Sequence, residues 1–273
     1  GGGTTDLMIG DYMPTGTGSS LALEHRTLHV DGISRGGDNI VQKLLETTII
    51  PKICQQLGID AINALKLFKS KGDSKLRRTR NSWISKLFYP LAKGYLNIAN
   101  NTNDESMEID LDTVPNFNTN WKSFIKDVEI ILSKPLNSTA VVDIKYNEYE
   151  FKEVVFSVYN HILGHFCSVV TESNADILLL SGKGSDLCVL KSLIKKLTSL
   201  PPSRVVFLGG YYTGEWCPFD TDKPGEINDP KSVVSIGAAL SFLCRNVGVH
   251  NFHLNQINDN GNIPALSFWG QIT

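Results

Sequence analysis

The sequence predicts an α/β fold: a mixed sheet flanked by helices, with a mainly helical α+β subdomain inserted into the sheet-bearing domain. Three observations carry that expectation. Two runs with strand-like alternation open the chain, Leu7 to Met13 and then Leu21 through Leu23, Leu28 and Val30. The final third strings short apolar runs, glycine turns and amphipathic stretches together in the order of βα units. Between these parts, residues 59–139 change character, so the expected organisation is 1–58 with 140–273 for the main domain and 59–139 for the insertion.

Composition narrows the class of function. With 273 residues, 41% of them apolar and 20% charged, the chain reads as an ordinary globular protein and not as a disordered one. A net charge of -2 argues against nonspecific nucleic-acid binding, which shows as a strongly basic balance. The longest apolar run, Val233 to Cys244, falls well short of the roughly 18 residues of a membrane span, so none is expected. Five scattered cysteines, Cys54, Cys167, Cys188, Cys217 and Cys244, form no close C-x-x-C pair and fit reduced thiols in a cytoplasmic protein. The chain opens without a methionine, inside what reads as a motif, and is therefore expected to be a piece of something longer.

The first strand is preceded by Gly1-Gly2-Gly3-Thr4-Thr5-Asp6. Glycines let the backbone approach a ligand closely, so successive N–H groups can converge on phosphate oxygens. Thr4 then suits a terminal phosphate or an attacking water, and Asp6 a magnesium ion reached through water. A glycine tail or an expression remnant would begin the same way, and the turns that follow weigh against it. After the turn at Pro14 to Ser19 the second strand pairs back on the first, antiparallel. Ser34-Arg35-Gly36-Gly37-Asp38-Asn39 leads into Ile40, Val41, Leu44, Leu45, Ile49 and Ile50 at helical spacing. Asp38 is the expected N-cap, with the helix ending at Gly58 unless Pro51 breaks it first.

In the insertion, nine basic residues (Lys66, Lys69, Lys71, Lys75, Arg77, Arg78, Arg80, Lys86, Lys93) face a single acid, Asp73. This is either a docking face for an acidic partner or nucleotide, or a solvated helical face. Asn100 to Asn120 reads as a polar surface excursion with a short strand at Met107 to Leu111. Val141, Val142 and Ile144 suggest a strand, and Phe151 to Val170 a long amphipathic helix. His161 and His165 lie four apart on it, a zinc spacing that lacks a glutamate base and a third ligand; His250 and His253 fix no site either.

Asp176 to Leu180 reads as a buried parallel strand, followed by Ser181-Gly182-Lys183-Gly184-Ser185 and a helix through Leu197. Strand, glycine turn and helix are how α/β proteins present ligands, which makes Gly182 and Lys183 candidates for the sugar or phosphate side. A strand over Arg204 to Leu208 and the turn Gly209-Gly210 lead to a loop with Tyr211, Tyr212, Trp216 and Phe219, a lid or an anchored surface loop. Pro230 is expected near the first turn of a helix through Leu243, and Ile263 to Trp269 allows one more strand.

In order, these turns resemble the actin-like ATPase superfamily, which includes DnaK-type chaperones and sugar kinases. Gly1 to Asp6 resembles its second phosphate loop, Ser34 to Asp38 the glycine pair near the ribose, Asp176 to Ser185 the adenosine loop, and Asp229 to Ala239 the segment closing the second lobe. More narrowly, Leu178 to Gly182, Gly209 to Gly214 with Trp216, Pro218 and Phe219, and the Asp229-Pro230 helix resemble the bacterial virulence-factor SrfB family. The resemblance implies an actin-like, ribonuclease H-like second lobe with ATP and magnesium held between it and a first lobe that this chain lacks. It would assign nucleotide binding to Gly1, Gly2, Gly3, Thr4, Gly37, Gly182 and Lys183, the first four at the phosphates and the last three on the sugar or phosphate side, and catalytic roles to Thr4 and Asp6, with Asp6 holding the metal through water. Asp186 and Lys231 depart from the chaperone pattern. They motivate a second expectation, a non-catalytic interaction module that keeps the fold and docks a protein partner at 66–93. A sugar-type kinase is a third, with no acceptor-site signature to support it.

Overall fold

A computed structural model describes residues 2–16, 21–69, 74–101, 106–136, 143–214, 223–249 and 252–256. Gly1, Lys71, Asp73, Val141, Val142, Trp216, Cys217, Phe219, His250 and the expected strand at 263–269 lie outside them. The chain divides into two compact units, one of Gly1–Gly37 with Tyr159–Thr273 and one of Asp38–Val158. It is a mixed α/β protein, and the break falls at 37/38 and 158/159, where composition had suggested 58/59 and 139/140.

In the first unit, strand β1 (Thr5–Thr15) pairs antiparallel with β2 (Leu21–Ile33), from Thr5 opposite Ile33 to Thr15 opposite Ala22. Leu7 and Ile9 are buried while Met8 between them is 56% exposed, the alternation of a sheet covered on one face. The register slips between Ile9 and Gly10. A side chain at Gly10 would meet His25 Nε2 at 3.0 Å and the Arg26 carbonyl at 3.1 Å, so this bulge leaves little room for one. A short strand unforeseen in the sequence, β7 (Phe252–Gln256), adds parallel to β2 over Leu21 to His25, making the sheet mixed.

A second small sheet holds β5 (Leu178–Leu180) and β6 (Val205–Phe207), parallel and joined through helix α8 (Cys188–Leu197). The crossover is as expected, but β5 is not buried: Leu179 is 63% exposed. Helix α9 (Val233–Asn246) starts later than its proline suggested. The carboxylate of Asp229 accepts from the Lys231 amide at 3.1 Å, and its carbonyl accepts from the Ser232 amide and hydroxyl at 3.1 and 2.7 Å. Pro230 therefore sits in a closed turn and the helix begins three residues on.

The second unit is mainly helical. Helices α1 (Gly37–Leu44) and α2 (Ile50–Gln56) run on through a π turn at Leu45–Ile49. Pro51 does not break them. A second π turn, Ile84–Phe88, joins α4 (Ser74–Trp83) to α5 (Tyr89–Asn101) and stands the same distance ahead of Pro90. Each widened turn lies where a proline removes an amide donor and crowds the preceding turn, which is how helices absorb that defect. Gly58, at φ +67°, ends the run, and Asp38 lies in its first turn instead of capping it.

Helix α3 (Ala61–Lys69) is capped by Asp60, whose carboxylate accepts from the Asn63 amide at 2.9 Å. Residues read as a polar excursion supply core: Ile109, Val114 and Phe117 are buried, and α6 (Phe117–Leu132) follows. Trp83, Phe88 and Phe124 pack edge to face at 5.1 and 5.3 Å. Strand β3 (Ser106–Glu108) pairs with β4 (Lys145–Asn147), and the Tyr95 hydroxyl accepts from the Asn147 amide at 3.1 Å and donates to its carbonyl at 3.3 Å. Helix α7 (Glu148–Glu172) runs from this unit into the first. By length and composition it is one helix among the described residues with an 18-residue window apolar enough to cross a membrane, where the apolar runs of the sequence predicted no span. Half of that window is buried, with Phe151, Val155, Ile162, Phe166 and Val170 inside the fold, as in a core helix.

Candidate functional site

The described candidates Gly2, Gly3, Thr4, Asp6, Gly37, Gly182 and Lys183 all belong to the first unit; Gly1 lies outside the described residues. Two of the glycine turns come together. Gly36 is buried, and a Cβ placed on it would lie 2.6 Å from the Gly2 carbonyl oxygen and 2.9 Å from the Thr4 nitrogen. The backbones of 2–4 and 36 thus touch directly, at a distance that glycine alone permits. The Thr5 hydroxyl closes the junction by donating to the Arg35 carbonyl at 2.7 Å. Around this contact Gly2, Gly3, Thr4 and Asp6 are exposed, and the space over Gly3 and Gly37 is open. The Thr4 hydroxyl donates to Asp6 Oδ2 at 3.1 Å. The other carboxylate oxygen lies against Gly32, where a Cβ would meet it at 2.8 Å.

The result is a ledge of small residues with one carboxylate, one hydroxyl and one neighbouring cation, the exposed Arg35. Arg35 was not among the sequence candidates, although it is the only cation within Ser34 to Asn39. Close backbone and hydroxyl donors are what a phosphate group requires. Among the described residues no group of three or more His, Cys, Asp or Glu side chains gathers to hold a metal. A lone Asp6 beside Thr4 fits a magnesium ion that keeps most of its waters and takes phosphate oxygens, and does not fit a zinc or calcium cage.

The turn at 182 is organised separately. Gly182, at φ +87°, donates its amide to the Pro230 carbonyl at 3.3 Å, and its own carbonyl accepts from the Ser185 hydroxyl at 2.7 Å. Lys183 Nζ donates to Asp186 Oδ2 at 3.2 Å, and the Asp186 carboxylate rests against Gly209. The Leu208 amide reaches the Leu180 carbonyl at 2.9 Å. The end of β5 at Leu180, the Gly209 turn and the Pro230 turn therefore converge on one hub, so three stretches distant in sequence meet. Among the described residues no hydrogen bond or ion pair links this hub to residues 2–6.

Two of the described histidines, His25 and His165, make contacts within the fold. His165 Nε2 lies 3.0 Å from Asp31 Oδ2, and this bond, followed by the Gly32 amide, holds the Asp31 carboxyl below its ordinary range. His25 is buried with an unpartnered Nε2 and stacks on Tyr12 at 4.7 Å; burial, then the charge of Arg245, lowers its pKa. In the basic stretch Lys66, Lys69, Arg77 and Arg78 are exposed, but Arg80 donates from Nε to the Leu67 carbonyl at 2.8 Å and anchors the end of α3.

Fold and site together define a mixed α/β protein with a glycine-lined ledge at residues 2–6 and 36–37 and a separate strand-turn-helix hub at Gly182. A family model described as "Virulence factor SrfB" matches residues 1–272, and the chain belongs to that family. No curated protein matches it.

Proposed function

We propose that this chain is the nucleotide-binding second lobe of an actin-like, DnaK-like ATPase that holds ATP and magnesium between it and a first lobe. The observation that carries the reading is the backbone contact of Gly36 with Gly2 and Thr4, which joins two glycine turns distant in sequence into one ledge. In this reading Gly1, Gly2 and Gly3 donate amides to the phosphates, Thr4 orients a terminal oxygen or a water, and Asp6 holds a metal-bound water. Gly37 leaves room for the nucleotide, and Arg35 adds a cation at the rim. The metal, when bound, neutralises phosphate charge. Gly182 has already committed its amide to Pro230, so it supplies shape, and Lys183 reaches a ligand only by leaving Asp186.

Phosphoryl transfer depends on positioning and electrostatic stabilisation, so one lobe alone is expected to be inactive. The reduced thiols of Cys54, Cys167, Cys188 and Cys244 fit a cytoplasmic ATP-binding protein. Titrating ATP with magnesium into a protein carrying both lobes should release or absorb heat; silence at about 1 mM nucleotide contradicts the reading.

One observation favours a second reading, an interaction module without chemistry. The pairing of Lys183 with Asp186 cancels the charge nearest the expected adenosine loop, while Lys66, Lys69, Arg77 and Arg78 stand exposed. On that reading nucleotide fails to bind, and reversing Arg77 and Arg78 abolishes docking. Arg80 is unsuited to that test because its guanidinium holds α3.

A further inference from the structure

On α3, Ile62, Leu65, Lys66 and Lys69 recur at the spacing of one helical face. That face is open: Ile62 is 80% and Leu65 54% exposed, and both lysines are exposed. The opposite side is fixed in the core, where Leu67 is fully buried and Phe68 packs on Trp83 and Phe88 at 6.0 and 5.5 Å. Asp60 caps the helix start and Arg80 its end, so the stripe is presented on an anchored helix. Exposed Lys75, Arg77 and Arg78 on α4, which packs beside α3, extend the positive charge.

We propose that this stripe is a peripheral membrane-binding site for a bilayer rich in anionic phospholipid. Ile62 and Leu65 form the start of the stripe and Lys66 and Lys69 its end, so an exposed apolar half and a charged half share one helical face. A bilayer surface suits both halves: Ile62 and Leu65 enter the boundary between headgroups and acyl chains, while Lys66 and Lys69 keep their charges at the phosphates. The occupant is a lipid surface and not an acidic protein because charge alone would explain the lysines but not the exposed isoleucine. The site is independent of the nucleotide ledge, and its test reads no nucleotide.

The experiment is co-sedimentation of the full chain with phosphatidylcholine vesicles containing either no phosphatidylserine or about 30 mol % of it. The expected result is binding that requires the anionic lipid and weakens as salt is raised. Lys66→Glu with Lys69→Glu should lower partition by more than about tenfold, at about fivefold for each neutralised charge. Ile62→Ser with Leu65→Ser should also reduce it, with an unchanged thermal melt. Tyr149→Ser, an exposed aromatic between Glu148 and Glu150, should leave partition unaltered. Equal binding to both vesicles, no binding to either, or the same loss from the tyrosine variant overturns the proposal. So does a stripe whose charge reversal abolishes only the capture of an acidic protein.

Discussion

Gly36→Ala tests the ledge at its tightest point. The added methyl would sit 2.6 Å from the Gly2 oxygen and 2.9 Å from the Thr4 nitrogen. Both are backbone atoms, and the Thr5 bond to the Arg35 carbonyl keeps them from drifting apart. Overpacking of this kind costs about 1–3 kcal/mol. For a domain of this size each kcal/mol corresponds to about 2–4 °C in melting temperature. Two neighbours provide the comparison: a Cβ at Gly3 or Gly37 meets nothing within 4 Å, and neither residue has a positive φ. Gly37→Ala and Gly3→Ala should therefore melt within about 2 °C of the parent, or slightly above it, since alanine restricts the unfolded chain. Differential scanning calorimetry of the three variants reads the difference. A Gly36→Ala protein as stable as Gly37→Ala would show that the two turns do not touch, and the reasoning for a single ledge would fail.

Other expectations follow from single contacts. Tyr95→Phe removes the hydroxyl that serves both the amide and the carbonyl of Asn147; urea unfolding should show a loss of about 1–3 kcal/mol. His25, with its pKa lowered by burial and then by Arg245, contributes stability that is fully present above its unfolded value of about 6.5. That contribution is lost as pH falls through the lower folded value, and His25→Phe should flatten the decline in melts taken across that window. Burial pushes the Cys54 thiol up to about 11, so a thiol reagent near neutral pH should label the exposed Cys188 first and reach Cys54 only on unfolding. Arg80→Ala should destabilise by about 1 kcal/mol through the lost bond to Leu67, while Arg77→Ala should not.

The hairpin, the α8 crossover and helix α7 were legible because each rests on local alternation or helical spacing, which fixes an element before any packing is known. The helix end at Gly58 was legible too, but its passage over Pro51 was left open, because a proline reads as a break unless a widened turn absorbs it, and nothing local in Leu45 to Ile49 announces one. Helix α6 was overlooked for a different reason: its asparagines drew attention from Phe117, Trp121, Phe124, Ile125 and Val128, which carry the helical period. Strand β7 depends on a parallel partner at the far end of the chain, which no local window contains. At the site, glycine composition pointed to residues 2–6 and 36–37, but their backbone contact was invisible in sequence. The engagement of Lys183 by Asp186 was equally invisible, since it depends on the 3₁₀ turn Lys183–Asp186. Arg35 is legible as a charge, but its place at the ledge follows only from the backbone contact of Gly36 beside it.

The most direct measurement is isothermal titration calorimetry of ATP, with and without magnesium, into a protein that carries this lobe and its partner lobe, alongside the same protein bearing Gly36→Ala. Magnesium-dependent binding that weakens by about tenfold or more in the variant is the predicted result. Binding of equal strength in both proteins would place the nucleotide elsewhere, and no binding in either would remove the ATPase reading.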